Sequence, residues 1–295
     1  SKGGLPAAEI TLAEALREKG YATAHIGKWH LGIHAGSRPL DQGFQSSFGL
    51  PYSNDMDARP GLPRGATSSP TPPADGWNVP LIRDGKVIEQ PAEQTTLTKR
   101  YTAEAVKFIQ DHKSEPFFLN LWCYGVHGPW GHKEDYTRAF ANKKDPTGRQ
   151  GNPIMASMLR SVDECFGRIF DELKRQGIAD NTIVIFYSDN GGNTHSNTVE
   201  DGKKSANADW KKWAKLQPPT NNAPLRDGKG TLYEGGTRVP LMWSWAGHIP
   251  AGSTSEAVVG PIDIYPTLLE LLAIKKPDEQ KFDGVSYAEV LDSQG

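Results

Sequence analysis

Four short polar clusters in the sequence carry side chains that could do chemistry: Gly27-Lys28-Trp29-His30, His127-Gly128-Pro129-Trp130, Ser188-Asp189-Asn190-Gly191-Gly192 and Asp227-Gly228-Lys229-Gly230. Together they offer two lysines, two histidines and an adjacent Asp and Asn, with glycines that permit close backbone approach. Asp189 and Asn190 are paired oxygen donors of the kind that suits a hard cation such as Ca²⁺ or Mg²⁺. Lysines and histidines beside such a cation suit a tetrahedral oxyanion, which needs several positive donors at once. Taken singly, each cluster has an ordinary structural reading. Asp-Asn-Gly-Gly after a strand is a common turn, a Lys after a strand-end Gly is usually solvated, and His127 before Gly-Pro could cap a loop. The joint pattern, with no redundancy of chemical role, points instead to metal-assisted hydrolysis of a sulfate or phosphate ester.

The elements that must position these clusters are legible from periodicity. Thr11-Leu12-Ala13-Glu14 has the form of a capping box opening a short helix that stops at Gly20. Residues 21–26 read as a strand, as do 116–122, 182–187 and 238–245. Helices are expected over 95–112, where Leu97, Tyr101, Ala105, Phe108 and Ile109 share a face, over 155–176 and over 264–273. The apolar runs at 116–122 and 182–187 have the composition of strands buried on both faces. Strands alternating with helices imply an α/β domain around a largely parallel sheet, in which ligands bind beyond the carboxyl ends of the strands. Residues 36–93 read as irregular. The loop 53–93 and the polar excursion 193–227 are expected to frame the pocket mouth, with Trp77, Trp130, Trp210 and Trp213 on or near them, either as rings that stack on sugar faces or, for Trp210–Trp213, as a surface helix turn. His25, His34, His112, His132, His195 and His248 lack comparable company and read as structural or exposed.

Composition excludes several classes. Thirty-three Lys+Arg against 35 Asp+Glu give a net charge of −2, with no global basic signature for nucleic acid. No apolar run approaches the roughly 20 residues of a membrane helix. The two cysteines, Cys123 and Cys165, form no CxxC pair, which excludes a zinc ribbon or a disulfide framework; they read as buried free thiols.

The stretch Gly20-Tyr21-Ala22-Thr23-Ala24-His25-Ile26-Gly27-Lys28-Trp29-His30-Leu31-Gly32 resembles the second signature of the type I, formylglycine-dependent sulfatases. Gly228-Lys229-Gly230-Thr231-Leu232-Tyr233-Glu234-Gly235-Gly236-Thr237-Arg238-Val239-Pro240 is a second match, Ser188-Asp189-Asn190-Gly191 a third and Tyr124-Gly125-Val126-His127-Gly128-Pro129 a fourth. Tyr52-Ser53-Asn54-Asp55-Met56 and Asp263-Ile264-Tyr265-Pro266-Thr267-Leu268 agree less closely. The likeness is strongest to the arylsulfatase A-like branch. It implies an alkaline-phosphatase-like α/β fold, a calcium ion and a formylglycine nucleophile made from Cys or Ser. It further implies Asp189 and Asn190 as metal ligands, and Lys28 and Lys229 as holders of the sulfate oxygens. His30 would contact the formylglycine hydroxyls, and His127 would serve the leaving-group side. Glu234 and Arg238 are expected as salt-bridged scaffolding. The implied substrate is a sulfated small molecule or glycan, and the implied address periplasmic, extracellular or lysosomal.

One part of the resemblance fails. The family's nucleophile pattern, Cys or Ser, any residue, Pro, Ser or Thr, any residue, Arg, does not occur in this sequence, nor does its pair of N-terminal aspartates. Residues 1–295 are therefore expected to be a partial sulfatase catalytic domain, truncated at both ends, inactive alone and with exposed sheet edges. Two other readings are a phosphodiesterase or phosphonate hydrolase of the same superfamily, and a non-catalytic binder of sulfated glycans.

Overall fold

The structure, a computed structural model, describes residues 3–57, 77–128, 130–194 and 219–292. Helix α1 (Leu12–Arg17) opens with the expected capping box: Thr11 Oγ1 accepts from the Glu14 N–H at 3.1 Å, and Glu14 accepts from the Thr11 N–H at 2.7 Å. Strand β1 (Ala22–Lys28) runs two residues past the expected end, which makes Lys28 its last residue. Strands β2 (Ser46–Leu50), β3 (Leu81–Arg83) and β4 (Lys86–Glu89) lie within the segment read as irregular. Their shortness and the Gly- and Pro-rich flanks hid them. Helix α2 (Leu97–His112) leads to β5 (Phe117–Trp122), and α3 (Glu134–Phe140) precedes the long α4 (Pro153–Arg175). Strand β6 (Val184–Tyr187), the single-turn α5 (Glu234–Thr237), β7 (Leu241–Ser244), α6 (Pro261–Leu271) and α7 (Ala288–Asp292) complete the order.

Five strands form one sheet in the order β4-β3-β2-β1-β5. Its centre is parallel, β1 pairing with both β2 and β5, and the antiparallel β3–β4 hairpin closes one edge. Strands β6 and β7 pair antiparallel as a separate ribbon. The apolar face of α2 (Leu97, Tyr101, Ala105, Ile109) packs with Ile154, Met158, Ile169 and Leu173 of α4 and with Phe48, Leu50 and Leu81. Each such side chain contributes about 2 kcal/mol by leaving water. Asn152 caps α4, its Oδ1 accepting from the Ile154 and Met155 N–H groups at 3.0 and 3.3 Å.

Three expectations need correction. Strands β5 and β6 are half-buried rather than covered on both faces, because each pairs on one edge only among the described residues. Trp122 at the end of β5 is 41% exposed. Trp77 and Trp130 are core residues, 1% and 7% exposed, and have no face free for a sugar. Trp210, Trp213 and His195 lie outside the described residues. Cys165 is buried and Cys123 half-buried, both as free thiols. Among the described residues no helix is long and apolar enough to cross a membrane.

Candidate active site

The end of β1 is built to bring a backbone very close to its neighbours. Gly27 has φ +122°, and a Cβ there would sit 1.9 Å from the Trp122 carbonyl oxygen of β5. Only glycine allows the strands to meet this tightly. The chain then turns outward. The Trp29 N–H donates to the Leu50 carbonyl at 2.9 Å, and the His30 N–H to the Pro51 carbonyl at 3.1 Å. Trp29 is buried, with Nε1 donating to the Ser37 carbonyl at 2.7 Å and its ring stacked on Trp122. His30 takes the left-handed conformation, φ 59°, which a non-glycine residue adopts only where its surroundings impose it. Lys28 and His30 thereby flank an anchored Trp29 in the chain.

The β5 end delivers His127. Its N–H donates to the Tyr124 carbonyl at 2.9 Å, closing a turn, and its Nδ1 meets the Gly128 carbonyl at 2.5 Å. A carbonyl can only accept, so Nδ1 carries the proton and Nε2 is the nitrogen left for chemistry. The Trp130 ring lies 3.2 Å from where a Gly128 Cβ would stand, so it floors this turn.

The third and fourth clusters are knit to each other. Gly191 N–H donates to the Gly236 carbonyl at 2.9 Å, and Lys229 N–H to the Gly192 carbonyl at 3.0 Å. Asn222 Nδ2 donates to the carbonyls of Gly192 and Asp227, both at 2.9 Å. A Cβ on Gly191 would lie 1.8 Å from the Gly235 carbonyl oxygen. The Asp227–Gly230 cluster follows no strand among the described residues; these backbone bonds carry it to the end of β6.

Electrostatics show that the clusters share one site. Burial pushes the Lys28 ammonium below its ordinary value, Asp189 and Asp55 oppose that shift, and Lys229 adds to it. His30 is lowered by burial first and then by Lys28 and Lys229, against Asp55. His127 is lowered by burial, then by Lys229 and Lys28, with Asp55 and the Gly128 carbonyl opposing. Lys28, His30, His127, Lys229 and Asp189 thus feel common fields, and Asn190 adjoins Asp189 in the turn after β6. Asn190 Nδ2 donates to the Gly191 carbonyl at 2.9 Å, which leaves its Oδ1 available beside the Asp189 carboxylate. The two oxygens fit a hard cation, although no cluster of three His, Cys, Asp or Glu side chains occurs among the described residues.

Two residues here were given no role by sequence reasoning. Asp55 is 5% exposed, and its carboxylate acts on Lys28 and both histidines. Ser53, two residues earlier, has a buried hydroxyl with no hydrogen-bond partner. The Tyr52–Met56 agreement was the only signal for either. The other described histidines are structural or exposed. His25 is caged by Trp29, Phe44 and Trp122, and burial takes it down to about 3. His132 bonds Thr137, His112 meets Glu115, and His248 stacks on Trp245. The expected Glu234–Arg238 pair forms at 3.8 Å, with both side chains exposed.

The chain matches the Sulfatase family over residues 2–274 and belongs to it. It is 33% identical over 306 aligned positions to arylsulfatase G of Rattus norvegicus, covering 99% of this chain and 54% of the relative. It is 31% identical to N-acetylgalactosamine-6-sulfatase of Mus musculus, over 96% of this chain and 49% of that protein. The crystal structure of Ps i-CgsB superposes with a TM-score of 0.76 at 28% identity, over 99% of this chain and 59% of the other. That protein has also been solved with k-i-k-neocarrahexaose. The chain spans about half the length of the curated relatives it matches. The expected alkaline-phosphatase-like α/β fold is the observed one.

Proposed function

We propose that the protein carrying this chain hydrolyses sulfate monoesters, and that residues 1–295 form a partial catalytic domain of it. The observation that carries this reading is the meeting of two lysines and two histidines with Asp189 at the carboxyl ends of β1, β5 and β6. A sulfate ester brings one negative charge and three terminal oxygens. Lys28 and Lys229 hold those oxygens and neutralise the charge that grows on them as the ester bond breaks. His127 stands on the leaving-group side. With Nδ1–H committed to the Gly128 carbonyl, His127 in its imidazolium form would give the Nε2 proton to the oxygen that an attacking group, not supplied by this sequence, displaces from sulfur, leaving the ring neutral with its proton on Nδ1. His30 assists the later release of sulfate.

Asp189 and Asn190 are proposed ligands for Ca²⁺, which when bound would add positive charge against the sulfate oxygens. No Cys or Ser in this sequence lies in the family's full nucleophile pattern. The 295 residues alone are accordingly expected to show no turnover. The substrate class proposed is a sulfated small molecule or glycan. Paired assays of the full-length enzyme on matched sulfate and phosphate monoesters test the reading. Preference for the sulfate supports it; preference for the phosphate places the protein among phosphoester hydrolases instead.

A further inference from the structure

We propose that Gln94 is a positioning residue for the leaving-group side: its carboxamide grips the turn after β2 while its main-chain carbonyl holds the turn after β5, and together they fix where His127 stands. This rests on the reading of His127 given above. Gln94 belongs to none of the polar clusters and precedes α2. It is 2% exposed, yet both ends of its side chain are used. Its Oε1 accepts from Asn54 Nδ2 at 3.0 Å, and its Nε2 donates to the Asn54 carbonyl at 2.8 Å. A two-point amide pair fixes orientation as well as distance.

The bridge continues through the backbone. The Gln94 carbonyl accepts from the Tyr124 hydroxyl at 2.7 Å, and the Tyr124 carbonyl accepts from the His127 N–H at 2.9 Å. Asn54 is fully buried and Tyr124 4% exposed, so water cannot substitute at these links. The bridge is also walled: a Cβ on Gly131 would stand 3.2 Å from the Tyr124 hydroxyl and 3.4 Å from the Gln94 carbonyl carbon. Asn54 directly precedes Asp55, whose carboxylate acts on Lys28 and both histidines. One buried residue therefore registers the Ser53–Asp55 turn against the His127 turn, its side chain holding the first and its main-chain carbonyl the second, across two strands that flank β1.

A purely structural glutamine and a positioning glutamine differ in one measurable way. Proton donation by His127 matters most when the leaving oxygen is basic, as in an alkyl or sugar sulfate, and little when it is a nitrophenolate. Displacement of His127 should therefore harm the two substrates unequally, whereas general loosening harms both alike. The experiment measures kcat/KM of the full-length enzyme on an alkyl sulfate and on 4-nitrophenyl sulfate for Gln94→Leu, Tyr124→Phe and His127→Ala.

The expected result is a loss of roughly a hundredfold on the alkyl ester, with less than about tenfold on the nitrophenyl ester, in Gln94→Leu and Tyr124→Phe alike. His127→Ala should show the same imbalance. If Gln94→Leu does not fold, Tyr124→Phe decides, since it removes one link and leaves the aromatic ring in place. Equal losses on both substrates in the bridge variants, with an imbalance kept in His127→Ala, would overturn the inference and leave the reading of His127 intact. No imbalance in His127→Ala would remove that reading, and the inference with it.

Discussion

The half of the cleft that carries Lys28, His30 and His127 stands on strands packed into a shared core, with β1 hydrogen-bonded on both edges. The half that carries Asp189, Asn190 and Lys229 stands on β6, which pairs with β7 alone among the described residues. The first half is held by burial: Trp29, Tyr124 and Trp130 are each under 10% exposed. The second is held by backbone hydrogen bonds through Asn222 and by glycine contacts. Under the function proposed above, the difference has a functional sense. Anion holding and proton delivery demand fixed distances, whereas a hard cation accepts variable geometry and completes its own shell with oxygen ligands.

Replacing the glycines is the strongest way to break this contrast. Gly27→Ala forces a Cβ into the Trp122 carbonyl and should cost at least about 3 kcal/mol of global stability in urea unfolding. Gly191→Ala meets an equally close carbonyl, but in the less packed half. It should lower cation affinity more than it lowers the unfolding midpoint. Equal global destabilisation by both would show that the halves form one cooperative unit.

Acid sharpens the comparison next. His25 lies under the packed half, and its folded-state value is about 3 against an ordinary 6.5. Between those values the unfolded chain binds the extra proton, so stability is present above 6.5 and is lost as pH falls toward 3. Unfolding free energy should drop by about 2 kcal/mol between pH 7 and pH 5, and His25→Gln should flatten that slope. A flat profile in the parent would contradict the buried neutral His25. On the other half, Asp189→Asn should weaken Ca²⁺ binding by at least roughly tenfold in calorimetry while barely moving the unfolding midpoint. Smallest of all, Arg238→Ala should change stability by less than about 0.5 kcal/mol, because its pair with Glu234 is long and solvated.

How much of this was legible in the sequence follows the same division. Periodicity found α2 and α4 within about two residues, because each presents a continuous apolar face to the core. The four polar clusters stood out because strand-end glycines, lysines and histidines have few other reasons to occur together. Strands β2 to β4 were missed; each is three to five residues long and set among turn-forming residues. Trp77 and Trp130 were misplaced because composition around a tryptophan does not reveal which face it packs on. Gln94 was invisible: its role depends on Asn54, 40 positions away, and no local pattern encodes such a pair.

The central claim is that these two differently built halves converge on one anion through Lys28 and Lys229. A double-mutant cycle in kcat/KM for one sulfate ester, on the full-length enzyme, tests it most directly. Lys28→Ala and Lys229→Ala should each cost roughly 10²–10³-fold. The double variant should fall short of the product by at least about 1 kcal/mol of coupling, since both act on the same oxygens. Additivity within about 0.5 kcal/mol would contradict the account, placing the two lysines at separate sites.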